Sequence, residues 1–499
     1  MTILKRFGAT LLACVITASA GLLTAFAEES SADDAKTFND GVLTYEILQN
    51  EKVTVKKCDA SATDVKVPDI MDGYVITEIS SEAFSGCSGL KSVSLPDTVT
   101  KIGEAAFYYC TALESLSIPD SVTEIGPAAF CYCSKLTSLT IPDKVTTIGD
   151  YTFAYCMELP SLTLPDSITT IGNYAFQYCM AFESFTIPKQ TTQLGSLAFV
   201  ACAALKELNI PAATTSIGDL SFVGCYAMEK IQVDSANTAY TADNNILMSK
   251  DGKTFVYYPS ALPETSFTVP DTVTTICPYA FSGATNLTSI TLPDGISTLP
   301  EGLFAGCKNL TDPKLPDGLT QIPVSCFADC IGLTSFTIAD SVTEIGKYAF
   351  YCCDSLNNIT IPDSVTTIGE YAFGYTEVEG ATEPSIKSGF SLKYGKKNTA
   401  AKDYAISSGI EQESKVNYTL IIILGVSVLV ILVVLLLVLR LHHRKAADGD
   451  EAETDAAESL QDAEPDEEEL DSNYTSILES EPDEDEPETD AEPESTDET

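Results

Sequence analysis

Residues 118–140 read IPDSVTEIGPAAFCYCSKLTSLT, and the pattern returns along most of the chain. Phe recurs at 84, 107, 130, 153, 176, 199 and 222, then at 281, 304, 327, 350 and 373, always 23 residues apart within a block. A fixed period of this length marks a solenoid, in which each unit buries its apolar face only against its neighbours. Leu136, Leu139 and Ile141 give a short strand with apolar residues on one face. The Pro142-Asp143 pair that follows ends it, because Pro has no N–H to give and Asp favours a turn. Val122 and Ile125 point inward on the return, Gly126 suits a tight bend, and Ala129 and Phe130 pack the far side. Stacked in register, such units predict a continuous parallel sheet, about 4.8 Å per rung.

The two blocks are separated by an insertion over 234–268. Within it, Ile246–Met248 and Thr254–Tyr258 flank Asp251-Gly252, a hairpin signal. At the front, Val42–Leu48 and Val53–Lys57 alternate around 49–51, which predicts a capping hairpin within 28–66. The repeats run over 67–379. In the cap and stalk over 380–417, Asn398-Thr399 opens a closing helix that Gly409 stops.

Two segments lie outside the repeat. Lys5 and Arg6 precede an apolar run ending in Ala25-Phe26-Ala27, so residues 1–27 read as a signal peptide, with a lipoprotein box ending at Cys14 as the rival reading. Residues 420–439 carry no charge and are followed by Arg440, Arg444 and Lys445. A transmembrane helix over 418–441 is expected, with the N-terminus outside and the C-terminus cytoplasmic. The tail, 442–499, is acidic and Pro-dotted and reads as disordered, with Asn473–Leu478 as its one apolar island.

The repeat unit, the Asp-Gly insert and the Ala400–Ala405 closing helix resemble BspA-type leucine-rich repeats over about residues 38–410. The resemblance implies a leucine-rich-repeat parallel β-sheet solenoid. It also implies a microbial surface protein, from a family that includes adhesins for host matrix proteins. No binding residue of that family maps onto a fixed position. The chain departs from the pattern at Thr191 and Thr214, and at Cys277, Pro300 and Pro323, where Gly is usual.

The chemistry is sparse. The only histidines, His442 and His443, follow the expected span, Trp is absent, and no phosphate-binding glycine loop occurs. The expectation is therefore no catalytic, cofactor or metal site. Ten cysteines stand three residues after a repeat Phe, from Cys87 to Cys353. In-register rungs do not suit a disulfide, so they read as a column of small buried side chains. An Asp column, Asp120 and Asp143 among it, reads as turn residues rather than a calcium site.

The strand face is mostly Ser and Thr, without aromatic anchors. Tyr109, Tyr132, Tyr155 and Tyr178 stand two residues after Phe in four successive rungs. They are the candidate ligand-binding residues, with self-sealing of the surface as the structural reading. A formal net charge of −44 argues against nucleic acid. The expected partners are an extracellular protein or glycan, the membrane, and a cytosolic partner for the tail. A surface binding or adhesion protein is expected. A structural spacer and, behind it, a signalling receptor acting through the tail are the alternatives.

Overall fold

The computed structural model describes residues 36–48, 52–378, 383–412 and 430–437. Most repeats contribute a strand of three or four residues in which a buried side chain stands between outward-facing ones, as in Ser115–Ser117. It pairs in parallel with Ser92–Ser94 before it and Ser138–Thr140 after it, with no slip in the 23-residue register. A second, two-residue strand such as Glu124–Ile125 pairs the same way with Lys101–Ile102.

The third side is a turn centred on Phe, and it too forms a ladder. Phe84 N–H donates to Ala106 O, Phe107 to Ala129 O, and Phe153 to Ala175 O, each 2.8 Å. Residues two before and two after Phe take left-handed backbone, at φ +53° for Ala128 and +63° for Tyr132. The Phe rings are almost wholly buried and stack, with centroids 5.5 Å apart and planes 6° apart from Phe107 through Phe130 to Phe153.

The cysteine column sits inside this turn. Phe84 O accepts from Cys87 N–H of its own turn at 3.1 Å and from the Cys110 thiol of the next rung at 3.1 Å. The same thiol contact recurs from Cys133 to Phe107 O and from Cys156 to Phe130 O. The thiols of Cys110 through Cys225 are buried and free. A small apolar residue with one weak donor fits a buried carbonyl that has a second lone pair to fill.

Gly126 opens the expected bend, with Ala129 N–H donating to Gly126 O at 3.3 Å, and it also serves close approach. A Cβ there would collide with the Glu104 backbone of the preceding rung, and Gly103, Gly195, Gly218 and Gly369 stand against the rung before them in the same way. The sheet is not continuous. Its ladders break beside Pro127, Pro160, Pro300, Pro313 and Pro323, and Pro160, Pro300 and Pro323 lack the N–H that equivalent residues such as Glu114 and Gly126 give to the preceding rung. The rung over 161–163 keeps its exposed–buried–exposed pattern without strand pairing.

In the insertion, Ile246–Ser249 and Thr254–Tyr257 pair antiparallel, and the latter then joins Thr275–Ile276 in parallel. Its side chains continue the aromatic column: Tyr257 lies 5.5 Å from Phe222, and Phe255 lies 4.7 Å from Phe281. At the front, Leu43–Ile47 pairs antiparallel with Lys52–Cys58, which pairs in parallel with Tyr74–Ile79; the expected turn at 49–51 lies outside the described residues.

At the far end the helix Thr399–Ser408 begins at Asn398, whose side chain accepts from Ala401 N–H, and ends at Gly409 with φ +69°. Its Tyr404 hydroxyl accepts from Phe373 N–H at 2.8 Å, where the next rung's carbonyl would stand, and donates to Phe373 O at 3.0 Å.

Residues 1–414 form one compact unit and 415–499 a second. In the second, residues 430–437 are helical. Among the described residues no helix is long and apolar enough to cross a membrane. The rest of the expected span, the leader over 1–27 and the tail over 442–499 lie outside the described residues.

The close approach is testable. Gly126→Ala should cost about 1–3 kcal/mol through overpacking. Gly89→Ala, where a Cβ meets nothing within 4 Å, should change stability little. Equal melting temperatures for the two variants would contradict the inter-rung contact.

Candidate functional site

Four rungs carry Tyr at the left-handed position after Phe, with φ between +57° and +63° at Tyr109, Tyr132, Tyr155 and Tyr178. Other rungs place Gly86, Gly224, Gly283 or Gly306 there, also at positive φ. The Tyr backbone is locked in the Phe-side ladder: Tyr132 N–H donates to Ala154 O at 2.8 Å and Tyr155 to Gln177 O at 2.7 Å.

The structure brings all four candidates into one file. Ring centroids are 4.5 Å apart from Tyr109 to Tyr132, 4.2 Å from Tyr132 to Tyr155, and 4.8 Å from Tyr155 to Tyr178. Tyr109, at the open end, is 44% exposed, and the other three are half-buried. Tyr108 stands edge-on to Tyr132 at 5.9 Å. Beneath lies a small apolar floor of Ala105, Ala128, Cys131 and Ala154.

A second file runs beside the first and was missed in the sequence. Tyr151 and Tyr174, two residues before Phe, stack at 4.5 Å with planes 6° apart. Their signal was available, since Tyr recurs at that position in 279, 348 and 371. In the second block Tyr348 and Tyr371 stack at 5.4 Å with the Lys347 ammonium 4.9 Å above the Tyr348 ring.

Burial pushes these phenols up. Tyr108 rises to about 12, and Tyr132, Tyr155, Tyr151 and Tyr178 rise for the same first reason. The strip is therefore neutral and protonated at ordinary pH, with hydroxyls able to donate or accept.

The strand face bears out the exposed Ser and Thr rows, with Ser92, Ser94, Ser138 and Thr140 all exposed. The Asp column lies at turns closed by backbone: Val122 N–H donates to Pro119 O at 3.0 Å while Asp120 is exposed.

A family model described as the BspA type leucine rich repeat region matches residues 59–181, 123–246 and 253–379, more than half of the chain. Among solved structures, the chain is similar to a leucine rich cell surface protein from Faecalibacterium prausnitzii. The two are 28% identical with a TM-score of 0.59, over 77% of this chain and 100% of that one. It is also similar in fold to the pneumococcal vaccine antigen PcpA, at 19% identity and a TM-score of 0.52, over 77% of this chain and 100% of that one. No curated protein matches the chain.

A phenol or thiol raised by burial stabilises the fold below its ordinary value, and that contribution is lost as pH rises through the folded value. Tyr108 and the thiols of Cys131, Cys225 and Cys307 reach about 12. The melting temperature should therefore be level from about pH 6 to 8 and fall between about pH 9 and 12. A level melting temperature through that window would contradict the burial of these groups.

Proposed function

Because the chain belongs to the BspA-type leucine-rich repeat family of surface proteins, we propose that it is a non-catalytic cell-surface protein that binds or adheres to an extracellular protein or glycan through the tyrosine file. One observation carries this reading: Tyr occupies left-handed positions that four other rungs fill with Gly, at 86, 224, 283 and 306, and three with the smaller Ala201, Asp329 and Cys352. Left-handed backbone costs a non-glycine residue about 1–2 kcal/mol. A stacked aromatic pair returns about 0.5–1.5 kcal/mol. The two nearly cancel, so the file adds little net stability. What it adds is rigid, amphipathic aromatic area at the surface, the kind that dominates binding energy. The half-burial of Tyr132, Tyr155 and Tyr178 favours a second reading, in which the file seals the solenoid and the protein is a surface spacer.

In the proposed topology, residues 1–27 direct export, 418–441 span the membrane once, and 442–499 face the cytoplasm, where the tail can meet a cytosolic partner. The front hairpin and the closing helix act as caps. The uncharged run over 420–439 and the basic flank at Arg440, Arg444 and Lys445 support this arrangement. Protease added to intact cells should remove the repeats and spare a tail epitope. Loss of that epitope would overturn the topology.

Substitution by Gly tests the site without straining the backbone. The double variant Tyr132→Gly, Tyr155→Gly should weaken capture of matrix protein, mucin or glycan by about tenfold or more, as for loss of a binding hot spot. Its melting temperature should stay within a few degrees. A steep fall in melting temperature with capture unchanged would return the file to the sealing role.

A further inference from the structure

The thiols of the repeat column are held apart, each donating to a Phe carbonyl of the preceding rung, as Cys110 does to Phe84 O at 3.1 Å. Cys87 is the first member and has no preceding rung with a Phe. Its thiol turns instead to Asp59 O at 3.8 Å. Cys58 lies outside the 23-residue register, 29 residues before Cys87, and its thiol meets the same Asp59 oxygen at 3.5 Å. Two buried thiols thus converge on one carbonyl oxygen. The backbone holds them there: Cys58 N–H donates to Ala83 O at 2.7 Å, and Cys87 N–H donates to Phe84 O at 3.1 Å.

We propose that Cys58 and Cys87 form a redox clasp, a reversible disulfide made by exchange with a low-molecular-weight disulfide, which ties the strand Lys52–Cys58 to the first repeat. The 29-residue offset removes the obstacle that in-register rungs present to bridging, because the two side chains leave successive rungs from different points of the turn.

The pair is also chemically unequal. The neighbouring Cys58 thiol draws the Cys87 thiol below its ordinary value, whereas every other described cysteine is raised. Both thiols are buried in the closed rung, so exchange starts when the terminal rung opens to solvent, and Cys87, the lowered member, is then the attacking thiolate. Its sulfur attacks the small disulfide, the S–S bond breaks, and one small thiolate leaves. Cys58 then loses its proton, and its sulfur attacks the Cys87 sulfur and displaces the second small thiolate. Two protein thiols are oxidised, one small disulfide is reduced to two thiols, and no further reactant is needed. A solenoid frays from its ends, so a link at the first rung acts where opening begins.

The test uses the folded full-length chain and oxidised glutathione. After acid quenching, unfolding and alkylation, peptide mapping should show Cys58 joined to Cys87, with the loss of two hydrogens, and Cys110 through Cys353 of the column alkylated. The oxidised chain should melt several degrees higher, and a reductant should reverse the shift. Cys58→Ser should trap a glutathione adduct on Cys87, whereas Cys87→Ser should leave Cys58 unmodified. The mapping of the natural chain decides the matter even where a variant folds poorly. Alkylation of both Cys58 and Cys87 in the folded chain, under conditions that link them in the unfolded one, would overturn the proposal. So would an adduct on Cys87 that Cys58 never resolves.

Discussion

The fold depends on one backbone device: a Phe flanked at two residues on either side by left-handed backbone, as at Ala105 and Tyr109 around Phe107. That alternation turns the N–H groups of 105, 107 and 109 toward the next rung, where they meet the carbonyls of Pro127, Ala129 and Cys131. It also leaves each Phe carbonyl inside the turn, where a buried acceptor without partners would cost about 1–3 kcal/mol. The Cys N–H of the same turn and the Cys thiol of the next rung fill it. The ring, the thiol and the glycine that lets successive rungs touch are therefore parts of one contact. They recur together because the contact recurs.

This places the continuity of the solenoid on the Phe side rather than in its sheets. Prolines divide the sheets into runs of three or four strands in the repeats. The Phe-side ladder carries on from Phe84 to Phe199, and from Tyr258 to Phe350, on either side of the insertion. At the insertion, Tyr257 and Phe255 hand the aromatic column across. At the last rung the Tyr404 hydroxyl stands in for the missing neighbour on both sides of the Phe373 peptide. An interrupted sheet is tolerated because a single strand pair is a small part of what each rung shares with the next.

Much of this was legible in the sequence. The period, the buried Leu–x–Ile strand, the insertion hairpin and the helix between Asn398 and Gly409 all rest on local patterns whose meaning does not depend on neighbours. What escaped depends on the rung above or below. The close approach at Gly126 escapes because a sequence does not display the Glu104 backbone lying against it. The strand at 161–163 looks like its neighbours until Pro160 is counted as a missing donor in the ladder. The left-handed position of the tyrosines did leave a trace, since Gly86, Gly224, Gly283 and Gly306 share their column. That trace points to backbone conformation, whereas a reading by size sees only small residues.

The electrostatic setting of the tyrosine file bears on what it is suited to bind. The repeat-bearing region is acidic, with 47 Asp and Glu against 23 Lys and Arg over residues 28–417, a net of −24, whereas the phenols of the file are neutral at ordinary pH. Stacked rings at 4.2–4.8 Å present flat apolar edges with hydroxyls at their tips. An anionic partner would be repelled before it reached them. A cationic one would find its charge partners among the scattered Asp and Glu rather than in the strip itself. On the proposed binding reading, the surface is matched to neutral partners recognised by aromatic packing and hydroxyl exchange, such as a neutral glycan or an uncharged stretch of protein. Contact there would depend little on salt, because neither side brings a charge to screen.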